Sequence, residues 1–378
     1  MTHVVVIGGF APSLIKFRAP LIAAMVARGH AVTAMAPDAD VGGETAGGIR
    51  AQLAALGARF EPIQLERAGI DPVADGRAVR GLVRRLRALR PDLVLGYTIK
   101  PVIYGSVAAR LAGVPRRAAM ITGMGSALTS ARTAKQRLVA GAARALYRVG
   151  LAQCQVVIFQ NPDDRDELAR LGALPRHARV AVVRGSGVDL AHYAPQPLPP
   201  GPPVFLFIGR LLRDKGITEY VAAARIVRAR VPAARFQIVG WLDPNPQSLS
   251  RGELDALIAD GTIEYLGATD DVRPRLAAAH VLVLPSYREG TPRAVLEAMS
   301  MNRAVITTDA PGCRETVIDG ESGLLVPVRD VASLSAAMIR LAEAPALVAR
   351  LAAAGRARAV ELYDARAVAA GMLGLLGL

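Results

Sequence analysis

The sequence is poor in cysteine, lysine and aromatic residues. Two cysteines in 378 residues cannot build a disulfide framework or a zinc cluster, and so small a number is typical of a reducing compartment. Aromatic residues make up 4% of the chain, with a single tryptophan. This scarcity disfavours a protein that grips bare polysaccharide or single-stranded nucleic acid by stacking on rings. The five histidines show no metal-ligand spacing.

The signatures of several common enzyme classes are also absent. The chain has no Gly-x-Ser-x-Gly nucleophile elbow and no phosphate loop of the P-loop kinases and ATPases. Gly8-Gly9 ends the first apolar run without the full dinucleotide fingerprint, and we expect residues 10–17 to form a loop, which disfavours a nicotinamide-dependent oxidoreductase. No uncharged apolar run reaches about eighteen residues, and the N-terminus lacks a basic leader with a long apolar core. We therefore expect neither a membrane-spanning helix nor a signal peptide.

What the chain does contain is an alternation of short β-branched runs with helical stretches, and this pattern occurs twice. The expected strands cover residues 4–7, 31–36, 93–95, 118–122 and 156–159, and then 204–208, 236–239, 263–265, 281–284 and 304–307. The alternation predicts an α/β protein of two Rossmann-like, doubly wound parallel-sheet domains that face a cleft.

Domain boundaries are expected around a proline-rich segment. Six of the nine residues in 195–203 are proline, which excludes a helix or a central strand and predicts a linker. The expected domains therefore span residues 1–194 and 204–356. An apolar closing helix over residues 357–378 is expected to pack back on the first domain.

The formal net charge of +14 is concentrated in the first half of the chain. Residues 1–194 contain 26 basic and 13 acidic residues, whereas residues 195–378 contain 20 and 19. Arg84 and Arg85 belong to a run of six arginines in one predicted helix. Two interpretations stay open: solvated helix faces, or a surface that rests on anionic lipid. No recognised nucleic-acid motif accompanies the charge, so we expect no nucleic-acid partner.

A basic motif follows the first strand of the second half. Gly209 and Arg210 end that strand, and Lys215 precedes the next helix. The planar fork of an arginine, the point charge of a lysine and a helix N-terminus together favour a diphosphate ligand. The chain has 42 arginines and only four lysines, so a lysine at this position favours a specific role. A solvated helix start is the alternative.

Two carboxylates bracket a turn that opens into a helical run, Glu289-Gly290-Thr291-Pro292 through Glu297. Glu297 is expected on a buried helix face, where a ribose diol or an arginine would satisfy it. Glu289 is expected in a loop, where it either holds hydroxyls of a transferred sugar or is solvated, while the backbone of Gly290, Thr291 and Pro292 lies near phosphates. Together with the basic motif, this pattern predicts a sugar-nucleotide site.

Glycines also follow two strands of the first half. Gly9 ends the first strand, and Gly123 follows the fourth expected strand. A glycine in such a place allows a ligand to approach the backbone, although a plain turn is equally compatible with it. We expect Gly9 to contribute to the floor of the sugar-nucleotide site.

These motifs, in this order and at these distances, resemble the retaining glycosyltransferases of family 4, which have the GT-B fold. The segments that carry the resemblance are Gly187-Val188-Asp189, 209–216 and 286–298. The segments 241–246, 311–315 and 17–20, with Lys100, resemble a branch of bacterial enzymes that add N-acetylgalactosamine or a related sugar to undecaprenyl-diphosphate-linked saccharides.

The resemblance assigns roles to particular residues. It implies that Arg210, Lys215 and Glu289 are catalytic. It implies that the donor is bound by Gly9, Gly209, Gly290, Thr291, Pro292 and Glu297. Residues expected at the acceptor or the membrane are Lys16, Arg18, Lys100, Gly123, Arg84 and Arg85. Some relatives have an acid where Thr122 stands, so no catalytic base is assigned.

The resemblance also implies the partners. It implies a nucleoside-diphosphate sugar, UDP-linked in preference, a lipid-linked saccharide acceptor, and no cofactor or essential metal. The enzyme would be cytoplasmic and peripheral on the inner face of the cell membrane, with the basic first half on anionic lipid. The alternatives are a GDP-mannose-type mannosyltransferase, a UDP-sugar epimerase of the same fold and a non-catalytic membrane adaptor. Neither the exact sugar nor the oligomeric state follows from the sequence.

Overall fold

The computed structural model describes residues 1–37, 46–66, 71–124, 133–243, 245 and 247–378. These residues form two compact units. The first comprises Met1–Ser186 with Arg366–Leu378, and the second comprises Gly187–Ala365. Each unit is a parallel sheet with helices on both faces, which confirms the expected α/β class and the two doubly wound sheets.

The first unit contains a seven-stranded parallel sheet in the order β3-β2-β1-β4-β5-β6-β7. Its strands are β1 (His3–Ile7), β2 (Ala31–Pro37), β3 (Arg59–Ile63), β4 (Leu93–Tyr97), β5 (Arg116–Ile121), β6 (Val156–Phe159) and β7 (Arg179–Val182). Its helices are α1 (Pro12–Ala27), α2 (Ala46–Ala55), α3 (Pro72–Leu89), α4 (Ser106–Leu111), α5 (Ala134–Leu151) and α6 (Pro162–Arg170), with a π-helical turn at Pro101–Gly105 before α4. The central strands are apolar because helices cover both of their faces.

The second unit contains a six-stranded parallel sheet in the order β10-β9-β8-β11-β12-β13. Its strands are β8 (Val204–Ile208), β9 (Arg235–Val239), β10 (Ile263–Tyr265), β11 (Val281–Leu284), β12 (Ala304–Thr308) and β13 (Leu324–Val326). Its helices are α7 (Ile217–Arg230), α8 (Arg251–Ile258), α9 (Arg273–Ala277), α10 (Arg293–Ser300), α11 (Val331–Glu343) and α12 (Pro345–Leu362). The chain order reverses between β8 and β11, and the loops that follow these two strands carry the predicted motifs.

The chain closes with α13 (Ala365–Leu376), which packs in the first unit. Met372 and Leu373 join α1 residues such as Leu21 in one apolar core. The sequence predicts one helix over 357–378, but the structure has a break at residues 363–364. Arg28 Nη1 donates to the Leu378 carbonyl at 2.7 Å and so ties down the end of the chain.

Helix length and hydropathy bear on membrane crossing. Across the described ranges, no single helix is both long enough and apolar enough to span a bilayer. The pair α11 and α12 meets that criterion by length and composition together, with a bend of 105° between the two helices.

The start of α1 differs from the sequence prediction. The predicted loop over residues 10–17 is wrong, because α1 begins at Pro12, three residues after Gly9. Proline suits a first helical turn, where its missing amide hydrogen costs no hydrogen bond. The helix also continues through Pro20.

The proline-rich segment differs from a free linker. The units meet between Ser186 and Gly187, eight residues before the predicted boundary. Residues 195–197 are held to the second unit by Arg303, whose side chain is completely buried. Arg303 Nη1 donates to the Gln196 carbonyl at 3.1 Å, and its Nη2 donates to the Pro197 carbonyl at 2.8 Å. The start of the segment is therefore part of the second unit.

Replacing Arg303 tests this attachment. Its guanidinium also donates to the carbonyls of Leu276, Ala277 and Asn302, and burial lowers its pKa to about 10. Arg303→Met should lower the free energy of unfolding of the second unit by about 3–5 kcal/mol, since several buried carbonyls lose their donor. Denaturant unfolding followed by fluorescence reports on this unit, because Trp241 is the only tryptophan. The control Arg340→Met, at an exposed position of α11, should shift the midpoint little. Equal shifts for both variants would contradict the attachment.

Candidate functional site

The predicted motifs meet at the carboxyl edge of the second sheet. Residues 209–216 follow β8, and residues 285–292 follow the neighbouring strand β11. Because the chain order reverses between these strands, the two loops flank the switch point of the sheet. Open parallel sheets bind their ligands in the crevice at such a point.

The two loops approach each other more closely than a side chain would allow. Gly216 has a φ of +72°, and a Cβ atom there would lie 2.1 Å from the Pro285 carbonyl oxygen. The Tyr287 amide donates to the Asp214 carbonyl at 2.8 Å, which joins the loops through their backbones. Glycine is therefore required at 216 both for its conformation and for its lack of a side chain.

An ion pair joins the side chains of the same two loops. Lys215 Nζ donates to Glu289 Oε1, and both side chains are largely buried. Ser286 Oγ donates to the same carboxylate oxygen at 2.8 Å. The Glu289 amide donates to the Pro311 carbonyl at 2.9 Å, which fixes the backbone on which this carboxylate stands. The cation predicted for a phosphate and the carboxylate predicted for a sugar thus contact each other directly.

A second ion pair lies one strand away in the sheet. Arg210 Nη1 is 3.3 Å from Asp243 Oδ2, and a third of the Arg210 side chain is exposed. Asp243 follows β9, which is the neighbour of β8 on the side away from β11. The Asp243 amide donates to Ser248 Oγ at 3.0 Å. Arg210 is therefore oriented by a buried carboxylate while part of its side chain faces solvent.

Glu297 lies in α10, the helix that follows the turn. It is buried, and its Oε1 lies 2.9 Å from Arg293 Nη2, one helical turn earlier. Burial raises the pKa of Glu297, while the charge of Arg293 and a hydrogen bond from Tyr193 oppose that rise. The alternative of an arginine partner is thus observed, and contact with a ribose stays a prediction. No side chain caps the N-terminus of α10, which follows Pro292.

Cys313 packs beneath this site. It is buried, and burial raises the pKa of its thiol to about 12, with the nearby Glu289 charge acting in the same direction. The thiol therefore stays protonated near neutral pH, as expected for a packed loop residue. The preceding residue, Gly312, has a φ of +80°, and a Cβ atom there would lie 2.2 Å from the Glu289 carbonyl oxygen.

The two glycines predicted in the first unit are constrained, Gly9 by a close contact and Gly123 by its backbone conformation. A Cβ atom on Gly9 would lie 2.9 Å from Thr98 Oγ1, at the carboxyl ends of the neighbouring strands β1 and β4. Gly123 has a φ of +133° after β5. Gly9 belongs to the first unit and the other predicted donor ligands belong to the second, so its role in donor binding stays a prediction.

Two cations predicted at the acceptor or the membrane are buried in the structure. Lys100 is 8% exposed, and its Nζ lies 2.7 Å from Asp75 Oδ1. Arg18 is 1% exposed, and it donates to Ser186 Oγ at 2.7 Å and lies over the Tyr97 ring. Neither cation can reach a membrane surface, because each is buried on partners within its own unit. Their part in acceptor binding stays a prediction.

The remaining predicted cations of the first unit are exposed. These are Lys16, Arg84 and Arg85. Arg85 lies 3.6 Å from Glu61, so it is partly neutralised, and Arg84 lies on the outer side of α3. Two further basic residues of the first half, Arg132 and Lys135, lie outside the described side chains.

Comparison with known proteins agrees with this geometry. The family model described as "Glycosyl transferase 4-like domain" matches residues 17–185, and the one described as "Glycosyl transferases group 1" matches residues 202–344. Sucrose-phosphate synthase from Thermosynechococcus elongatus has the same fold, with a TM-score of 0.81 and 21% identity over 99% of this chain and 98% of that one. HepE of Anabaena in complex with UDP and glucose matches with a TM-score of 0.77 and 17% identity over the whole of both chains. The chain belongs to the glycosyltransferases of the GT-B fold.

Two curated relatives of this glycosyltransferase are named for lipid-linked acceptors. It is 27% identical, over 85% of each chain, to the N,N'-diacetylbacillosaminyl-diphospho-undecaprenol alpha-1,3-N-acetylgalactosaminyltransferase of Campylobacter jejuni. It is also 27% identical, over 72% of each chain, to the UDP-Gal:alpha-D-GlcNAc-diphosphoundecaprenol alpha-1,3-galactosyltransferase of Escherichia coli. Similarity of this extent supports sugar transfer as the general reaction.

Some residues of the site were missed by sequence reasoning. Asp243 pairs with Arg210, Ser286 holds Glu289, and Arg293 pairs with Glu297. The i,i+4 spacing of Arg293 and Glu297 is a local signal that was available in the sequence. Asp243 could be found only from the order of the strands, because it follows β9 and its partner follows β8.

Alanine substitutions at two glycines test the close approach of the loops. Gly261 has a φ of +68°, and a Cβ atom there would have no atom within 4 Å, so Gly261→Ala should cost about 1 kcal/mol from the backbone conformation alone. Gly216→Ala adds a clash with the Pro285 carbonyl and should cost at least twice as much. Denaturation followed by Trp241 fluorescence measures both. Equal destabilisation by the two variants would show that the loops can separate freely.

Proposed function

We propose that this glycosyltransferase moves a hexose or an N-acetylhexosamine from a UDP-sugar to a lipid-linked saccharide, with retention at the anomeric carbon. The observation that supports it most is the placement of Lys215, Arg210 and Glu289 at the switch point of the second sheet. Two cations and one carboxylate there match the charge of a diphosphate and the hydroxyls of a sugar.

The cations act on the leaving group in this proposal. When the bond between the sugar and the diphosphate breaks, negative charge grows on the departing phosphate. Lys215 and Arg210 stabilise that charge, and they do so best in a site held rigid by its neighbours. The pairing of Arg210 with Asp243 supports this role, because the guanidinium is oriented before the donor arrives.

In this proposal Glu289 and Glu297 accept hydrogen bonds from hydroxyl groups of the donor. Glu289 neutralises Lys215 in the structure, and a donor diphosphate would take over that ammonium group. The freed carboxylate would accept hydrogen bonds from hydroxyls of the transferred sugar. Glu297, beside Arg293, would accept hydrogen bonds from the ribose hydroxyls. The phosphates would face the N-terminus of α10 after Pro292, where no side chain caps the helix. They would also face the backbone of Gly209, Gly290 and Thr291.

Retention is proposed through attack from the same face as departure. The anomeric carbon loses its bond to the phosphate oxygen and gains a bond to the acceptor oxygen. The acceptor proton passes to the departing phosphate oxygen, so no protein base is assigned. In such a step Lys215 and Arg210 are the main catalytic groups, because they stabilise the charge on the departing phosphate.

The acceptor and the location are inferred from the relatives. The names of the Campylobacter jejuni and Escherichia coli enzymes both specify undecaprenol-linked acceptors. An acceptor of that kind lies in a membrane, so we propose that the enzyme is peripheral on the inner face of the cell membrane. The excess of basic residues in residues 1–194 supports this location, because the surface of that leaflet is anionic.

GDP is the alternative nucleotide. The chain is 32% identical, over 54% of its length and 53% of the relative, to the phosphatidyl-myo-inositol mannosyltransferase of Mycolicibacterium smegmatis. Calorimetry with UDP and GDP decides between the two bases. Incubation with UDP-N-acetylgalactosamine, UDP-galactose, UDP-glucose and GDP-mannose, each with undecaprenyl-diphosphate-linked N-acetylglucosamine, tests transfer by mass spectrometry. If neither UDP nor GDP binds, the proposal is wrong.

Lys215→Ala should lower turnover with the accepted donor by about 30- to 1,000-fold, which corresponds to about 2–4 kcal/mol of transition-state stabilisation. The control is Arg213→Ala, two residues away on the same turn, where the guanidinium pairs with the exposed Glu253. Arg213→Ala should stay within a few-fold of the wild type. Unchanged turnover in the lysine variant would refute its role.

Glu289→Gln should separate binding from catalysis. Without the carboxylate, Lys215 is free for the diphosphate and a repulsive charge is lost, so the Kd for UDP should fall about five- to tenfold. Turnover should fall as well, because the sugar hydroxyls lose their acceptor. Calorimetry and steady-state kinetics measure the two effects. Glu253→Gln is the matched control, and weaker UDP binding by Glu289→Gln would argue against competition for Lys215.

A further inference from the structure

Three helices of the first unit form one layer on the same face of its sheet. α3 and α4 pack together on β1, β2 and β4 through residues such as Leu82 and Ala108. α5 packs beside them through Tyr147 and Leu151 on the π-helical turn that precedes α4. A Cβ atom on Gly150 would lie 2.7 Å from Ile103 Cα, which shows how closely α5 approaches that turn. We call α3, α4 and α5 the basic layer.

The outer side of the basic layer is almost entirely cationic. Its three helices contain one acidic residue, Asp75, and this residue is buried. Lys100 Nζ lies 2.7 Å from Asp75 Oδ1, and the Tyr104 hydroxyl donates to Asp75 Oδ2 at 2.8 Å. Among the described side chains of these helices, the exposed charges are arginines: Arg77, Arg80, Arg84, Arg85, Arg87, Arg110, Arg137, Arg144 and Arg148. The one acid of these helices is therefore used inside the layer, and Arg85 alone among these described arginines is in an ion pair, at 3.6 Å from Glu61 of β3.

Large apolar side chains lie exposed among these arginines. Leu138 and Val149 of α5 are 75% and 53% exposed, and Leu111 of α4 is 56% exposed. Residues 138, 142, 145 and 149 follow helical spacing, so Leu138, Val149 and the alanines between them form a stripe along α5. Arg137, Arg144 and Arg148 each precede a member of that stripe, which places the cations along its side. An apolar stripe with a cationic border is typical of a helix that lies in a membrane interface.

We propose that the outer side of the basic layer docks on an anionic lipid bilayer, with α5 lying in the interface. The arginines contact lipid phosphates, and Leu138 and Val149 enter the boundary between headgroups and acyl chains. This inference adds a specific surface to the proposed function, on which it rests for the presence of a membrane-borne acceptor. It excludes Arg18 and Lys100, the two buried cations that the resemblance places at the acceptor or the membrane.

The combination of cationic and apolar side chains on this surface favours a lipid bilayer over a nucleic acid or a protein partner. A nucleic acid would use the arginines but would leave Leu138 and Val149 in water, since base recognition by stacking needs exposed rings. A protein partner or a second copy would need acidic residues to complement nine exposed arginines. A bilayer that contains phosphatidylglycerol supplies both the negative charge and the apolar interior.

Vesicle sedimentation with the purified full chain tests the surface. The wild type should bind vesicles of phosphatidylethanolamine and phosphatidylglycerol, should bind phosphatidylcholine vesicles far more weakly, and should lose affinity as salt is raised. The triple variant Arg137→Gln, Arg144→Gln, Arg148→Gln should bind the anionic vesicles about 100-fold more weakly, since each arginine near such a surface contributes a factor of about five. Leu138→Gln with Val149→Gln should weaken binding by about tenfold, because the loss of two partly inserted apolar side chains removes their contribution.

A matched variant controls for the loss of charge. Arg275→Gln, Arg340→Gln, Arg350→Gln removes three exposed arginines from the second unit and should change vesicle binding by less than about threefold. Vesicle binding by the α5 triple variant at the level of the wild type would overturn the proposal. Equal binding of neutral and anionic vesicles would overturn it as well. A third contradicting result would be that duplex DNA displaces the protein from vesicles while the Leu138 and Val149 substitutions leave vesicle binding unchanged.

UDP calorimetry on the same variants separates this inference from the proposed function. The α5 variants should bind UDP as the wild type does, because none of the predicted donor residues lies in α5. Loss of vesicle binding with intact UDP binding would support the surface. If the vesicle results hold while the wild type binds neither UDP nor GDP, the docking surface stands and the proposed function fails.

Discussion

The ion pair between Lys215 and Glu289 is the contact on which the site depends. It joins the loop after β8 to the loop after β11, where the chain order of the second sheet reverses. Gly216 lets the two backbones meet, Ser286 orients the carboxylate, and Thr308 Oγ1 donates to the Ser286 carbonyl from the next strand. These neighbours hold one cation and one anion together at the place where an open parallel sheet binds its ligand.

Lys215 and Glu289 can each exchange the other for a group of a bound donor. Two largely buried opposite charges must be paired, since an isolated one would be expensive to desolvate. A donor diphosphate offers Lys215 a stronger anionic partner, and the sugar hydroxyls offer Glu289 a neutral one. The pair seen between these side chains therefore keeps the site neutral until the diphosphate and the sugar arrive together. Arg210, held by Asp243, and Glu297, held by Arg293, follow the same rule on either side.

The sequence predicted the parts of the fold that are locally encoded. Central strands such as β8 and β11 are buried on both faces and appear as continuous apolar runs, so their bounds could be read directly. Three strands were missed, β3, β7 and β13, and all three lie at sheet edges. Their sequences are short or interrupted by polar residues and proline, because an edge strand is only partly covered.

The same distinction applies to the functional residues. The donor motifs are contiguous in the chain, so their spacing carried the prediction. Asp243 was missed because its role depends on the neighbourhood of β8 and β9 in space. Lys100 was expected at the acceptor or the membrane from the resemblance, and its burial on Asp75 from a distant helix could not be predicted from the local sequence.

A crystal structure of the protein with bound UDP tests the central claim most directly. The account predicts that a diphosphate oxygen replaces Glu289 as the partner of Lys215 Nζ, within about 3 Å, and that Arg210 contacts the same diphosphate. A structure in which UDP binds while Lys215 remains paired with Glu289 and contacts no phosphate oxygen would contradict it.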